Sequence, residues 1–230
     1  MTALQDSTTT WALVPIKDFA RAKSRLAAAL TADQCAGLAG SMAADVVTAL
    51  RGCADIGHVA CLGPAPRIQA FAAEYGCDFI AETSGAGLSA NLDIAARQLQ
   101  EKGARTLLIV PSDLPTITPD DLTALLAKHH GGLTICPAGR DAGTNAVVLS
   151  PPTGIGFLFG KQSYARHLRA AEAAGLEHRS VHAKAFETDI DVPADLKWLR
   201  SVEPRGHTGR FLDRAVPPAA FDSPPSAAIA

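Results

Sequence analysis

Three aspartates have the chemistry and the spacing of ligands for a hard divalent cation. Asp113 lies in PSDLP, and Asp189 and Asp191 are two residues apart in TDIDVP. We expect TDIDV to be a strand, so that the two carboxylates project from one face. Mg²⁺ commonly binds one or two carboxylates and completes its coordination with water and substrate phosphates. The aspartates therefore indicate a Mg²⁺ site; a turn aspartate at 113 and a helix cap at 191 are the alternatives.

A cluster of cations follows the first predicted strand, in VPIKDFARAKSRL. Within nine residues it contains Lys17, Arg21, Lys23 and Arg25. Lysine and arginine stabilise the charge of a polyphosphate, and arginine can do so with two hydrogen bonds. Because ligands of open α/β sheets bind at the C-terminal ends of strands, this position favours a triphosphate site over an ordinary solvated turn.

Two further segments offer hydrogen-bond donors to an anion. In RDAGTNAVV, Gly143 and Thr144 precede a predicted strand, where backbone N–H groups and a hydroxyl could face a ligand. In FGKQSYARH, Gly160 and Ser163 lie at a predicted helix start, whose free N–H groups and dipole favour a phosphate or a carboxylate. An ordinary helix N-cap is the alternative role of Ser163.

The composition restricts the classes of function. The chain has 230 residues, 47% of them hydrophobic, which suits one α/β domain. Its net charge of -2 gives no support for non-specific binding to nucleic acid or to an anionic membrane. The first ten residues, MTALQDSTTT, are polar, so we expect no leader. The sequence contains no apolar run of membrane-spanning length and no C-x-x-C pair among its five cysteines. We therefore expect a cytoplasmic protein without nucleic-acid or membrane partners.

Short apolar runs alternate with longer segments of helical period, which predicts a mostly parallel central sheet with helices on both faces. RTLLIV, residues 105–110, is the most continuous apolar run and is expected at the centre of the sheet. The predicted strands cover residues 11–16, 58–63, 78–81, 105–110, 133–138, 146–150, 178–183 and 187–192.

Helix signals separate these strands. A capping box of Thr31 and Gln34 begins a long helix that ends at Gly52, and Ser89 and Thr118 are the predicted N-caps of two more. Further helices are predicted over residues 67–75, 164–174 and 193–198.

The remaining features argue against other chemistry and mark the end of the domain. His129 and His130 fall at a predicted helix C-terminus, where a positive charge would complement the helix dipole. The sequence contains no Ser/His/Asp arrangement that would support an activated nucleophile. From Glu203 onward the chain is rich in proline and alanine and has no period, so we expect one domain over residues 1–203 and a mobile tail over 204–230.

Six segments, taken in order, resemble the 2-phospho-L-lactate guanylyltransferase family of coenzyme F420 biosynthesis. They are VPIKDFARAKSRL, GAGL, PSDLP, DAGTNAVVL, FGKQSYARH and ETDIDVPADL, and the resemblance runs from about Trp11 to Trp198. It implies a Rossmann-like nucleotidyltransferase fold in which a basic segment replaces the usual glycine-rich first loop. The implied reaction transfers GMP from GTP to a phosphorylated three-carbon acid and releases pyrophosphate. 2-Phospho-L-lactate, phosphoenolpyruvate and 3-phospho-D-glycerate are the candidate acceptors, and a homodimer is a reasonable assembly.

The resemblance also implies a role for each candidate residue. The GTP phosphates would be held by Lys17, Lys23 and Arg25, which with Asp113 form the catalytic group. Mg²⁺ would be held by Asp113, Asp189 and Asp191. The nucleotide site would further include Gly87, Ser89, Asn91 and Ser112, and the acid would bind Thr144, Gly160 and Ser163. The family commonly has G-L-N where this chain has Gly87, Leu88 and Ser89, with Asn91 two residues later.

Two other functions fit the same features. One is a nucleotidyltransferase for another acceptor, such as a molybdopterin cofactor or a sugar phosphate, although such enzymes normally have the glycine-rich loop. The other is a non-catalytic nucleotide-binding module, which the loss of an aspartate would favour; all three aspartates are present.

Overall fold

The computed structural model describes residues 9–140 and 142–216. Its strands are β1 Thr10–Pro15, β2 His58–Gly63, β3 Asp78–Ala81, β4 Thr106–Ile109, β5 Gly132–Pro137, β6 Thr144–Ser150 and β7 His178–Ser180. They form one sheet with the order β3-β2-β1-β4-β6-β5-β7. Strand β6 runs antiparallel to β4 and β5, and the other neighbouring pairs are parallel. The prediction of a mostly parallel sheet is confirmed.

Seven α-helices occur in the described ranges. They are α1 Ala32–Gly52, α2 Arg67–Glu74, α3 Gly87–Glu101, α4 Pro119–Leu126, α5 Ser163–Ala173, α6 Pro193–Ser201 and α7 Gly206–Ala215. Short 3-10 turns cover Phe19–Arg21, Ser24–Leu26 and Lys184–Phe186. None of these helices combines the length and the apolar character that crossing a membrane requires.

Strand β4 lies at the centre of the sheet, as its apolar run predicts. Leu108 packs into a cluster with α1, α2 and α4 on one face, whereas Leu107 and Ile109 pack with α3 and α5 on the other. Neighbouring residues of a strand point to opposite faces, so a strand covered on both sides needs apolar side chains at every position. This double burial makes β4 one of the well-packed parts of the molecule, and the loop to Asp113 starts from its C-terminal end.

The predicted helix starts are confirmed in two cases and wrong in a third. Thr31 and Thr118 both form capping boxes at the starts of α1 and α4. Ser89 is not an N-cap, because α3 begins two residues earlier at Gly87. Gly87 has φ +77°, a left-handed conformation that glycine adopts without a steric cost. The turn into α3 therefore occurs at the glycine, and Ser89 lies inside the first turn.

Residues 187–192 do not form the predicted edge strand, and no strand is assigned there. Their backbone bonds to loops instead: Gly139 N donates to Glu187 O at 2.8 Å, and Ile190 N donates to Asp113 O at 3.2 Å. The alternating pattern of TDIDV arises because Ile190 is fully buried while its two neighbours stay partly accessible. The strand-like alternation of the sequence therefore reflects one buried residue, Ile190, between two partly accessible ones.

The expected mobile tail is wrong for its first part. Helix α7 packs against α1, and Leu212 is fully buried in their shared cluster. The Asp45 carboxylate accepts hydrogen bonds from His207 N at 2.7 Å and Thr208 N at 2.8 Å, which satisfies free N–H groups at the start of α7. The segment has few apolar residues, so its sequence did not predict a helix. Helix α7 needs only a few core residues to pack against α1. Residues 217–230 of the expected tail lie outside the described residues.

His129 is a buried neutral side chain rather than a cation at a helix end. It is 2% exposed, with Nδ1 3.0 Å from Thr134 Oγ1 and Nε2 2.8 Å from Ser150 Oγ. Burial, helped by the nearby charges of Arg179 and His130, lowers the pKa of His129 to about 4. The expectation of a stabilising positive charge at this position is therefore wrong, since the imidazole links α4 to β5 and β6 in its neutral form.

The neutral His129 predicts a specific pH dependence of stability. An unfolded histidine takes up a proton near pH 6.5, whereas His129 in the folded protein does so only at about pH 4. The free energy of unfolding should therefore fall between these values as the pH decreases, by up to about 1.4 kcal/mol per pH unit from this group. Urea unfolding of His129→Gln should show a shallower slope between pH 6.5 and 4.

The exposed His182 supplies the control for this measurement. His182→Gln should keep the slope of the wild-type protein, because His182 is not one of the groups that lower the pKa of His129. Equal slopes in the wild-type and His129→Gln proteins would contradict the prediction.

Candidate active site

The three aspartates converge although they lie far apart in the chain. One carboxylate oxygen from each of Asp113, Asp189 and Asp191 lies within 4.8 Å of the other two. Asp113 follows the well-packed strand β4, and its carbonyl receives the N–H of Ile190 at 3.2 Å. The buried Ile190 side chain anchors the segment between the other two aspartates. The expected convergence is present, but an anchored loop produces it and not a strand.

Lys23 compensates the negative charge of this cluster. Its Nζ lies 2.7 Å from Asp113 Oδ2 and 2.8 Å from Asp191 Oδ1, and the lysine side chain is only 8% exposed. Burial alone would lower the pKa of Lys23, but attraction to the two carboxylates outweighs it and raises the pKa. Lys23 is therefore a charged, nearly buried ammonium group inside the carboxylate cluster.

The same arrangement separates the acidities of the two neighbouring aspartates. Burial, followed by repulsion from Asp113, raises the pKa of Asp189. Burial also acts to raise the pKa of Asp191, but the charge and hydrogen bond of Lys23 outweigh it and lower the pKa. Two carboxylates at close range differ in acidity because only one of them contacts the lysine.

The donor set fits a hard divalent cation. Asp113 Oδ1 is buried and has no hydrogen-bond partner among the residues that the structure describes. A buried carboxylate oxygen without a partner is unfavourable unless a cation or water satisfies it. Three carboxylates offer the oxygen ligands that Mg²⁺ prefers.

A cavity of about 420 Å³ opens beside the aspartates. Its lining includes five of the residues predicted for the nucleotide site: Lys17, Lys23, Gly87, Asn91 and Ser112. Asp113 and Asp191 also line it. Arg25 and Ser89 are not among the lining residues; the Arg25 side chain is 75% exposed, with Nη1 4.0 Å from Asp191 Oδ2. The structure thus places part of the predicted nucleotide site around one cavity and leaves Arg25 at its outer edge.

Asn91 lies at the cavity but its amide is engaged elsewhere. Its Oδ1 accepts from Thr83 N at 2.6 Å, and its Nδ2 donates to the carbonyls of Thr83 at 3.3 Å and Gly87 at 3.0 Å. Both amide hydrogens are therefore used on the backbone of the 83–87 loop. Asn91, which was predicted for the nucleotide site, therefore holds the loop that lines the cavity.

The cavity wall also contains residues that the sequence did not predict for the site, among them Glu82, Thr83 and Leu88. Glu82 comes directly after β3, and its N–H donates to Gly63 O at 3.0 Å. Leu88 is 43% exposed, unusual for a large apolar side chain in this protein. The position of Glu82 after a predicted strand was the available signal, because the C-terminal ends of parallel strands meet at the same edge.

The residues predicted to bind the acid form a second cluster outside the cavity lining. Ser163 Oγ donates to Thr144 Oγ1 at 3.0 Å, and both side chains are buried. Ser163 N donates to Gly160 O at 3.1 Å, and the N-cap of α5 is Gln162 rather than Ser163. Gly160 has φ +115° and no neighbour within 4 Å of its Cβ position, so the approach to this turn is open.

The fold and the site together define a nucleotidyltransferase-like protein, and solved structures share the fold. A protein from Desulfovibrio desulfuricans G20 assigned as a nucleotide-diphospho-sugar transferase has a TM-score of 0.78 and 19% identity, over 93% of this chain and 97% of its own. A nucleotidyl transferase from Methanothermobacter thermautotroptrophicus has a TM-score of 0.62 and 14% identity, over 89% and 98% of the two chains.

Residues 10–212 match the sequence model of the family described as "Guanylyl transferase CofC like", and the chain belongs to this family. It is 39% identical to a phosphoenolpyruvate guanylyltransferase of Sphaerobacter thermophilus, over 86% of this chain and 96% of the relative. It is 35% identical to a 3-phospho-D-glycerate guanylyltransferase of Phenylobacterium zucineum, over 80% and 86% of the two chains. The family resemblance expected from the six segments is confirmed.

Loss of Lys23 should destabilise the fold in a pH-dependent manner. Lys23→Met leaves two partly buried carboxylates without their cation, so the free energy of unfolding at pH 7 should fall by about 1–3 kcal/mol. The pKa of Asp191 is lowered in the folded protein, so the ion pair contributes above the ordinary carboxylate pKa of about 4 and its contribution is lost below it. Urea unfolding at several pH values measures both effects.

Arg25→Met is the matched control, since the exposed Arg25 should contribute less than about 0.5 kcal/mol. A stability loss in Lys23→Met that is the same at pH 3 and pH 7 would argue against the charge compensation described here.

Proposed function

We propose that this protein is a Mg²⁺-dependent guanylyltransferase that transfers GMP from GTP to a phosphorylated three-carbon acid in coenzyme F420 biosynthesis. The observation that carries the proposal is the convergence of three carboxylates beside a basic loop, in a chain that belongs to this family. Phosphoenolpyruvate is the acceptor that we expect, because the relative from Sphaerobacter thermophilus carries that activity in its name.

The distribution of charge suits the two substrates. Lys17 is exposed at the cavity and Lys23 lies at its acidic end, so both can stabilise the phosphates of a nucleotide. Arg25, at the outer edge, can reach the departing pyrophosphate with its flexible side chain. Mg²⁺ held by Asp113, Asp189 and Asp191 would supply neutralisation of the phosphate charge.

The acceptor is expected at the start of α5. Ser163 donates its hydroxyl hydrogen to Thr144, so the Thr144 hydroxyl keeps its own hydrogen to donate to a phosphate or carboxylate. The turn at Gly160 is open, and the helix dipole favours a negative charge there. A phosphate monoester has a second pKa of about 6, so its oxygen is already ionised at neutral pH. The protein therefore needs no general base, which agrees with a site of cations and carboxylates.

In the proposed reaction, an acceptor phosphate oxygen forms a bond to the α-phosphorus of GTP while the bond to the β-phosphate oxygen breaks. The electron pair of the broken bond leaves with pyrophosphate. The main obstacle is repulsion between two polyanions, and the protein's contribution is to hold them together with fixed positive charge.

A cytoplasmic location and a homodimer stay predictions. The described cysteines are unpaired, which is typical of a reducing compartment. The mass of the protein in solution, measured by light scattering, tests the assembly.

An assay of product formation tests the proposed activity. The enzyme is incubated with GTP, Mg²⁺ and each of phosphoenolpyruvate, 3-phospho-D-glycerate and 2-phospho-L-lactate, with mass detection of the guanosine diphospho-acid and measurement of pyrophosphate. We expect the highest kcat/KM with phosphoenolpyruvate. Turnover only with a sugar phosphate or a pterin would favour another transferase, and GTP binding without pyrophosphate release from any acid would favour a non-catalytic module.

The metal assignment predicts the effect of two conservative substitutions. Asp113→Asn and Asp189→Asn each remove a charged ligand oxygen, so kcat/KM should fall at least about 100-fold while the fold stays intact by circular dichroism. Asp120→Asn, on the exposed surface of α4, is the control and should retain full activity. Wild-type turnover by either ligand variant at the same Mg²⁺ concentration would refute the assignment.

A further inference from the structure

The segment that carries Asp189 and Asp191 has no strand ladder to hold it. Residues 187–192 are irregular, so their position depends on individual contacts. Gly139 N donates to Glu187 O at 2.8 Å, and a Cβ at Gly139 would lie 2.9 Å from that oxygen, which shows how closely the two loops approach. The buried Ile190 anchors the middle of the segment. These contacts place the segment, but other groups must orient the side chains of Asp189 and Asp191.

Asp195 fixes the backbone at one of these aspartates. It lies in the first turn of α6 and is 4% exposed. Its Oδ2 accepts hydrogen bonds from Asp191 N and Val192 N, both at 2.8 Å. A carboxylate that binds two consecutive N–H groups determines the orientation of the peptide between them. The Asp191 side chain therefore leaves a backbone that Asp195 holds in place.

Arg140 connects Asp195 to the other aspartate. Its Nη1 and Nη2 donate to Asp195 Oδ1 at 2.5 Å and Oδ2 at 2.7 Å, in a two-pronged ion pair. Nη2 also donates to the backbone carbonyl of Asp189 at 3.1 Å and lies 4.0 Å from Asp189 Oδ1. The planar guanidinium imposes direction as well as charge. One arginine thus contacts the segment at Asp189 and, through Asp195, at Asp191.

We propose that Arg140 and Asp195 form a positioning pair that orients Asp189 and Asp191 toward Asp113 and thereby sets the affinity of the site for a divalent cation. The inference rests on the proposed function, because it assigns the cation to these three carboxylates. Neither residue of the pair belongs to the carboxylate cluster. Their effect on the cation passes through the backbone of residues 189–192, as is usual for groups that orient metal ligands.

The location of Arg140 has a second consequence. It lies in the loop that joins β5 to β6, and this loop leads directly into Thr144, at the expected acceptor site. The loop that would contact the acceptor is therefore the same loop that holds the cation ligands. Arg140 and Asp195 therefore connect the expected acceptor site at Thr144 to the carboxylate cluster through this loop.

Direct cation binding tests the proposal without relying on catalysis. Mn²⁺ is titrated into the full-length protein in the absence of nucleotide, and free Mn²⁺ is measured by electron paramagnetic resonance. Arg140→Met and Asp195→Asn should weaken binding by about 10–100-fold. Arg140→Lys keeps the charge but loses the two-pronged geometry and should fall between Arg140→Met and the wild type.

Hydrogen exchange gives a second readout that involves no metal. In Asp195→Asn and Arg140→Met, the amides of Asp191 and Val192 should exchange faster than in the wild type, whereas the amides of β4 should not change. Asp213→Asn is the control, because it breaks the Arg200–Asp213 ion pair between α6 and α7 without touching residues 189–192. This control should leave both Mn²⁺ binding and exchange at residues 191–192 unchanged.

The outcomes separate this inference from the proposed function. Wild-type Mn²⁺ affinity in Arg140→Met and Arg140→Lys, with unchanged exchange at residues 191–192, would overturn the positioning pair while leaving the guanylyltransferase proposal intact. Full guanylyl transfer by the wild-type protein in excess chelator would overturn the metal assignment, and the positioning pair with it.

Discussion

Mutual repulsion of three carboxylates is the constraint on which this structure depends. Asp113, Asp189 and Asp191 lie within reach of one ion, and partial burial strengthens the repulsion between them. Three nearby features act against that repulsion. Lys23 supplies a buried cation, Ile190 supplies an apolar anchor, and the backbone bonds of residues 187–192 prevent the loop from separating the charges. The site that we propose for two polyanionic substrates thus contains three carboxylates that the fold must hold close together.

The arrangement of the sheet explains where this charge can be held. Strand β4 is well packed because it is covered by helices on both faces, and Asp113 follows it after only a few residues. The basic segment follows β1, the strand beside β4, so Lys23 arrives from the adjacent strand end. Parallel neighbours bring both loops to one edge of the sheet. The charge compensation therefore results from strand order and not from proximity in the sequence.

The sequence predicted the sheet, most of the helices and the residues of the carboxylate cluster, because these depend on local patterns. Hydrophobic runs predict strands, capping residues predict helix starts, and the aspartates of PSDLP and TDIDVP indicate a site. The failures have a common cause in tertiary contacts. The backbone of the 187–192 loop bonds to other loops and to Asp195 in α6. The amide of Asn91 is occupied by a loop backbone, and His129 is neutral because strands cover it. Arg140 appeared in a quoted motif, but its role depends on a distant partner at position 195 that no spacing indicates.

Helix α7 belongs to the same hydrophobic cluster as two anchors of the site. That cluster contains Leu212 and Val216 from the C-terminal segment, Leu26 from the basic segment and Ile190 from between the two aspartates. The basic segment and the aspartate loop thus pack against one apolar layer, and α7 contributes to the same layer. The boundary at residue 203 that composition suggests would cut through this layer. The domain in the physical sense extends at least to Val216, because α7 belongs to the apolar layer that supports the basic segment and the aspartate loop.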